Sequence, residues 1–444
     1  MNTTTTTLTT TGSGLELTSR AGDGVTAFWM ARFHGVGMHA CMIITTPDNG
    51  PRKWRSSTVA LAVSHLESTD PKKDKKRPLC LPSQDDPSPS SSSSSSYSPR
   101  ELRTKSRPNE TVTMRLPRLL TTLTSVLLAL AAAPLVSAFT NPIRRPGGSD
   151  PFITYSGDGY YYLLSTTWST VEIARSTTIE GLKTAAKKVV YSSSDASRCC
   201  NVWAPEVHWL GNRWYIYFTA GGSANLDNQR MHVLRGGTTP WDSYTYVGRI
   251  GPDEWAIDAS VLRTPQHGEF LMYSCFHGAA YQSICIQKLN ADYVSTSGAV
   301  SLISQPTQAW ERVAHPVNEG PAALYFGGRT YVAYSASYCW SASYCLGLLT
   351  WDGSRVPTDP AAWAKGDRCV LGSGNGHYGT GHNSFFTSPA GDQTWIAYHA
   401  TSNAAGACDD SRYTMVQLLG AHSNGAPNFG SPVAFSYVYS EPHK

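Results

Sequence analysis

From residue 150 onward, apolar and polar positions alternate in short runs of period two, broken by turns that contain glycine, the signature of antiparallel strands. One unit recurs five times: an Asp, Glu or His, a short apolar strand, a turn, and a strand rich in Tyr and β-branched residues. The first copy runs from Asp150-Pro-Phe-Ile-Thr-Tyr155 through Gly157–Gly159 to Tyr160–Ser165. The second runs from Glu206 through Gly211 to Trp214–Phe218, and the third from Asp258 through Thr264–Gly268 to Phe270–Ser274. The fourth runs from Glu319 through Gly327 to Thr330–Tyr334, and the fifth from His382 through Ser388–Gln393 to Trp395–His399. The leading residues are 56, 52, 61 and 63 positions apart, which leaves room for a four-stranded blade and its loops. A lone hairpin cannot bury both faces, whereas hairpins stacked around an axis supply each other's core. The pattern therefore predicts an all-β, five-bladed β-propeller over residues 139–444. A sandwich would not keep a polar residue at the same point of each unit, and an α/β barrel needs helical periodicity that is scarce here.

If the first strand of each unit is innermost, the leading residues Asp150, Glu206, Asp258, Glu319 and His382 ring one mouth of the central channel. A single acid before a strand is usually a turn former or a solvated charge. Crowded carboxylates cost free energy, and function is a common reason to tolerate that cost.

The first 138 residues read differently. Thr3–Thr7, a basic patch at Lys72–Arg77 and a Ser-rich run after Pro89 carry no sustained periodicity, and such low-complexity sequence is expected to be disordered. This part holds 16 Lys/Arg against 10 Asp/Glu, the remainder 20 against 22, so the overall +4 sums +6 and −2. A positive charge confined to one segment argues against a nucleic-acid partner for the folded part. Met114–Arg118 is a short basic stretch, Leu119–Leu135 is largely apolar, and Val136-Ser137-Ala138 supplies small residues, in the order of a secretory signal. On this reading residues 1–113 extend ahead of the true start, 114–138 is a signal peptide, and the secreted chain begins at Phe139. The rival is a signal anchor, disfavoured by a short run interrupted by Thr, Ser and Pro134. The sequon Asn109-Glu110-Thr111 lies ahead of the cleavage point.

Eight of the ten cysteines follow Ala138, an even number that suits disulfides in an exported chain. Their spacing suggests local staples at Cys275–Cys285 and Cys339–Cys345, leaving Cys369–Cys408. Cys199 and Cys200 form either a vicinal disulfide near the pocket or separate bridges elsewhere.

Five short motifs carry a family resemblance: Ser149-Asp150-Pro151, Trp203-Ala204-Pro205-Glu206, Ile257-Asp258-Ala259, Asn318-Glu319-Gly320-Pro321-Ala322 and Gly381-His382-Asn383-Ser384-Phe385. In this order and spacing the chain resembles glycoside hydrolase family 43, a family of five-bladed propellers that invert anomeric configuration. The run Tyr378–Phe385 followed by Tyr398-His399-Ala400 is most similar to the arabinofuranosidase branch, including exo-acting enzymes on α-1,5-arabinan. The resemblance implies Asp150 as general base, Glu319 as general acid, and Asp258 as the carboxylate that orients the acid and raises its pKa. It implies a structural Glu206, bonded to backbone groups at the channel, and an axial His382. Trp203 is expected as an aromatic wall for the sugar, and Arg412 as a partner for a pocket carboxylate. No cofactor is required. A calcium or sodium ion in the channel near His382 would be held through water, since one imidazole is a poor hard-ion site. The implied enzyme is a secreted monomer acting on arabinan or arabinoxylan. A β-xylosidase, an endo-arabinanase and a non-catalytic sugar-binding propeller are the alternatives.

Overall fold

The computed structural model describes residues 137–444, together with four strand segments between residues 15 and 64. Met1–Val112 and Thr113–Lys444 form two separate compact units. In the first, Leu15–Gly22, Thr26–Phe33, His39–Thr45 and Ala60–Ser64 pair antiparallel in sequence order. These segments lie within the part read as low-complexity, and are themselves rich in apolar and β-branched residues, which suit strands. The signal-peptide stretch up to Val136 lies outside the described residues.

The second unit is a five-bladed propeller. Blade one comprises Phe152–Tyr155, Tyr161–Leu164, Thr170–Ser176 and Lys187–Ser192. Blade two comprises Cys200–Leu210, Arg213–Gly221, Arg230–Arg235 and Thr245–Arg249. Blade three comprises Ala256–Thr264, Gly268–Cys275, Ser283–Leu289 and Thr296–Ser304. Blade four comprises Asn318–Phe326, Arg329–Ala336, Cys345–Trp351 and Trp363–Lys365. Blade five has three strands, Tyr378–Thr387, Thr394–Thr401 and Tyr413–Leu418. Its outer edge is covered by the start of the domain. Ile143 N–H donates to Thr414 O (2.8 Å), Thr414 N–H to Arg144 O (3.0 Å), and the Asn141 amide exchanges two bonds with Val416 (2.8 Å each). Ala138–Thr140 also pairs with Val438–Ser440. Both ends of the domain thus close the ring and cover a strand edge that would otherwise invite aggregation.

The core is divided among the blade interfaces. Five apolar clusters occupy the five interfaces, from Tyr162, Ile173, Ile216 and Phe218 between blades one and two to Ile153, Leu163, Trp395 and Val416 between blades five and one. Tyr273, Tyr334 and Tyr398 hold the same place in the second strands of blades three to five, with no exposed surface. A buried phenol needs a partner. Their hydroxyls donate to Gln287 (2.9 Å), Glu311 (2.9 Å) and Gln417 (2.7 Å).

The disulfides are Cys199–Cys200, Cys275–Cys285, Cys339–Cys408 and Cys345–Cys369. The first two match the reading by spacing, with the vicinal alternative formed. The Cys339–Cys345 and Cys369–Cys408 pairings are corrected. Cys339 sits in a loop that leans on blade five, where Ala342 N–H donates to Ala405 O (3.0 Å), so it meets Cys408. Cys345 opens a strand flanked by the 369–371 segment, where Leu346 N–H donates to Leu371 O (2.9 Å), so it meets Cys369.

Candidate active site

A backbone irregularity repeated around the ring builds the site. The pairing of first and second strands shifts between Trp203 and Glu206, Ile257 and Ser260, Glu319 and Ala322, and Gly381 and Ser384. Within each shift one residue adopts a left-handed φ: Ala204 (42°), Asp258 (62°), Gly320 (55°) and His382 (39°), with Asp150 (51°) ahead of the first strand of blade one. Such bulges re-aim side chains and are common beside functional sites. The blades also brace them. The N–H of Ala204 donates to Thr166 Oγ1 (2.8 Å), that of Asp258 to Thr219 Oγ1 (3.1 Å), that of His382 to Ser335 Oγ (2.7 Å) and that of Asp150 to His399 Nδ1 (3.2 Å). In each case the acceptor belongs to the preceding blade.

This register corrects the ring of five. Glu206 is the counterpart of Ser260, Ala322 and Ser384, two residues beyond the bulge. It lies deeper, in a cavity at the other end of the channel that contains none of the three other acids. Its expected backbone partners are replaced by His208, whose Nε2 is 2.8 Å from Glu206 Oε2. Burial pushes Glu206 well above the usual carboxyl range and His208 well below the usual imidazole range, so both are shifted toward their uncharged forms.

Asp150, Asp258 and Glu319 line one pocket of about 450 Å³, together with Trp203, His382 and Arg412. Asp150 is 8% exposed and Asp258 6%. Thr166 Oγ1 donates to Asp150 Oδ2 (2.5 Å), while Oδ1 lies 3.1 Å from His399 Nδ1, 3.4 Å from His382 Nδ1 and 3.5 Å from Arg412 Nη1. Burial alone would raise its pKa, but chiefly Arg412 and His382 outweigh this and hold Asp150 well below the usual carboxylate range. Behind it, burial and Arg412 hold His399 down to about 3, so His399 is neutral.

Glu319 accepts from Gln282 Nε2 at Oε2 (2.8 Å) and from the Tyr344 hydroxyl at Oε1 (2.8 Å). Burial, the largest influence, still leaves its pKa raised. Asp258 Oδ2 accepts the N–H of Gly320 (3.0 Å), and burial, with Glu319 and Asp150 adding, pushes Asp258 up to about 7. The expected cause of the Glu319 shift is corrected here, since burial and not a touching Asp258 carboxylate dominates.

His382, expected as axial, sits among the carboxylates with Nδ1 toward Asp150. Trp203 meets Trp168 edge to face (centroids 6.0 Å apart) on the pocket wall. Arg412 is 4% exposed, with Nη1 3.3 Å from His399 Nε2. Sequence reasoning missed Thr166, Gln282, Tyr344 and the role of His399, though Tyr398-His399-Ala400 was visible as a motif. Gly381 is required by Tyr344, because a Cβ there would fall 2.3 Å from the phenol ring. Among the described residues no group of three or more His, Cys, Asp or Glu side chains is arranged to hold a metal ion.

Fold and site together define a class: five-bladed propellers with three carboxyls at one mouth of the channel, one held ionised and two held toward the protonated form. The family model "Glycosyl hydrolases family 43" matches residues 139–427, and the chain belongs to that family. It is similar to an "Extracellular exo-alpha-(1->5)-L-arabinofuranosidase" of Streptomyces avermitilis, with 34% identity over 325 residues, 68% of this chain and 65% of that protein. It is also similar to "Alpha-L-arabinofuranosidase 43" of Humicola insolens, 33% identical over 300 residues, 64% of this chain and 62% of that protein. The chain thus spans somewhat less than two thirds of the length of these relatives. Among solved structures, an alpha-L-arabinofuranosidase from Lactobacillus brevis superposes with a TM-score of 0.63 at 29% identity, covering 67% of this chain and 98% of that one.

Proposed function

We propose that this protein is a secreted, inverting α-L-arabinofuranosidase that releases single L-arabinofuranose units from arabinan or arabinoxylan, acting from chain ends on α-1,5 links. The observation that carries the reading is the opposite treatment of the acids in one pocket: Asp150 pushed down, Glu319 and Asp258 pushed up. Inversion in one step needs a base holding water on one face of the sugar and an acid at the leaving oxygen, with carboxyls roughly 6.5–9.5 Å apart. Asp150 takes the base role, because Arg412 and His382 keep it ionised. It accepts a proton from the attacking water as the water oxygen bonds to the anomeric carbon. Glu319 gives its proton to the glycosidic oxygen as the bond to the anomeric carbon breaks. Asp258 fixes the backbone beside the acid through Gly320 and shares the pair's raised protonation. Trp203 and Arg412 bound the bound sugar. The similarity to extracellular arabinofuranosidases supports both the substrate class and secretion.

The reaction so written needs no cofactor. The two imidazoles near the channel, His382 and His399, both turn Nδ1 to Asp150, and neither suits a hard cation directly. A calcium or sodium ion would be held through water, and no step runs through it.

Incubation with debranched arabinan, arabinoxylan and xylo-oligosaccharides, with products identified and their first-formed anomer read by NMR, tests the proposal. Arabinose alone, released as the inverted anomer, is expected. Xylose, longer oligomers or a retained anomer would contradict it, and the protein is expected to elute as a monomer.

A further inference from the structure

The loop between the second and third strands of blade three, residues 276–282, touches the acid at one end and carries an exposed aromatic ring at the other. Gln282 bonds Glu319 through its side chain (2.8 Å) and accepts Asn318 N–H at its carbonyl (3.0 Å). Phe276, 40% exposed, packs its ring against Trp255 (centroids 5.0 Å apart). The Trp255 indole N–H in turn donates to the carbonyl of Leu226 (3.0 Å), and Leu226, 50% exposed, is part of the pocket wall. Trp255 and Phe276 therefore form an aromatic pair that a hydrogen bond ties to Leu226 at the pocket wall.

We propose that this aromatic pair is a binding platform for the second and later leaving-group sugars of an arabinan chain, beyond the two units that flank the scissile bond. The proposal rests on the glycosidase reading above. Two arguments commit it to that occupant. The general acid stands on the leaving-group side of the scissile bond, and the loop that holds Glu319 is the one that presents Phe276. Distance agrees: Trp255 is three residues before Asp258, so their Cα atoms are within about 11 Å. A sugar ring presents an apolar C–H face, and flat aromatic rings are suited to receive it.

The platform is also tied in place by a disulfide and hydrogen bonds, and such preorganisation lowers the cost of binding. Cys275–Cys285 ties the base of the loop across adjacent strands. Ala279 N–H donates to Phe276 O (2.7 Å) around a turn with left-handed His277 and Gly278. His277 Nδ1 lies 2.7 Å from Glu254 Oε1, joining that turn to the residue before Trp255.

The test compares arabinobiose, which has one leaving-group sugar, with arabinopentaose, which has four, on the wild-type protein and on Trp255→Ala, Phe276→Ala and the double variant. The wild type should show a kcat/KM for arabinopentaose well above that for arabinobiose. Each single change should cut the pentaose value about tenfold through KM, and leave arabinobiose within twofold, which also reports that the fold is intact. An unchanged pentaose-to-biose ratio in the variants, or a wild-type ratio near one, would overturn the platform. A wild type that cleaves neither oligosaccharide would instead overturn the underlying arabinofuranosidase reading. Should the alanine variants lose arabinobiose cleavage too, Phe276→Leu and Trp255→Leu, which keep bulk without a flat ring, decide the matter by the same ratio.

Discussion

Asp258 Oδ2 accepts the backbone N–H of Gly320 at 3.0 Å, so this carboxyl grips the residue next to Glu319 and leaves the Glu319 side chain to Gln282 and Tyr344. Position and charge at Asp258 are therefore separable. Asp258→Asn keeps an acceptor for Gly320 and removes only the titrating group. It is expected to lower kcat by about 10²-fold, whereas Asp258→Ala, which also frees the backbone, should lower it further. Steady-state kinetics on arabino-oligosaccharides read both.

Asp258 also links pH to stability. Its pKa rises from roughly 3.9 in the unfolded chain to about 7 in the fold. The folded state therefore holds a proton that the unfolded chain has lost between those values. Its contribution to stability is present in full below the unfolded value and is lost as pH rises through about 7. Melting curves should show the wild type losing ground to Asp258→Asn between pH 4 and pH 8. A constant difference across that range would refute the assignment.

Tyr344→Phe removes a hydrogen bond that favours the ionised form of Glu319. The Glu319 pKa should then rise further, and the high-pH limb of kcat/KM should move upward, because the acid must be protonated to act. Gly381→Ala, whose Cβ would strike the Tyr344 ring, should displace the same bond at a greater cost in activity.

Glu319→Gln should reduce turnover about 10²–10⁴-fold on natural links and less on aryl arabinofuranosides, whose leaving groups need little protonation. Asp150→Ala should be as inactive but recover with azide, a small anion able to attack from the face the base water used. Recovery that gives the inverted arabinosyl azide supports the base role, and azide rescue of Glu319→Gln through the same product would contradict it.

The Cys339–Cys408 bond closes a loop with a sequence separation of 69, against 10 for Cys275–Cys285. On chain-entropy grounds the long loop is worth about 4 kcal/mol and the short one about 3 kcal/mol. Cys339→Ser with Cys408→Ser should thus lower the unfolding free energy more than Cys275→Ser with Cys285→Ser, and peptide mapping should recover Cys345 joined to Cys369.

The blades were legible in the sequence because a β-hairpin is a local object. Alternation, Gly-containing turns and a Tyr-rich second strand lie within a few dozen residues, and five copies leave one way to bury them all. Asp150, Asp258 and Glu319 could be singled out for the same reason, as each stands at the entrance of its own hairpin. Tertiary structure decided everything that passes between blades. The left-handed bulge that sets Asp258 at the mouth and Glu206 two residues deeper is a backbone state shared by Ala204, Asp258, Gly320 and His382, and side-chain identity does not announce it. His399 reaches Asp150 across 249 positions from the neighbouring blade, while Tyr344 reaches Glu319 within blade four, from the loop between its second and third strands. The pairing of Cys339 with Cys408 depends on which loops lean together once the ring has closed. Distance in sequence says nothing about these meetings, since they are fixed by the packing of neighbouring blades and by the exclusion of water from the groups packed between them.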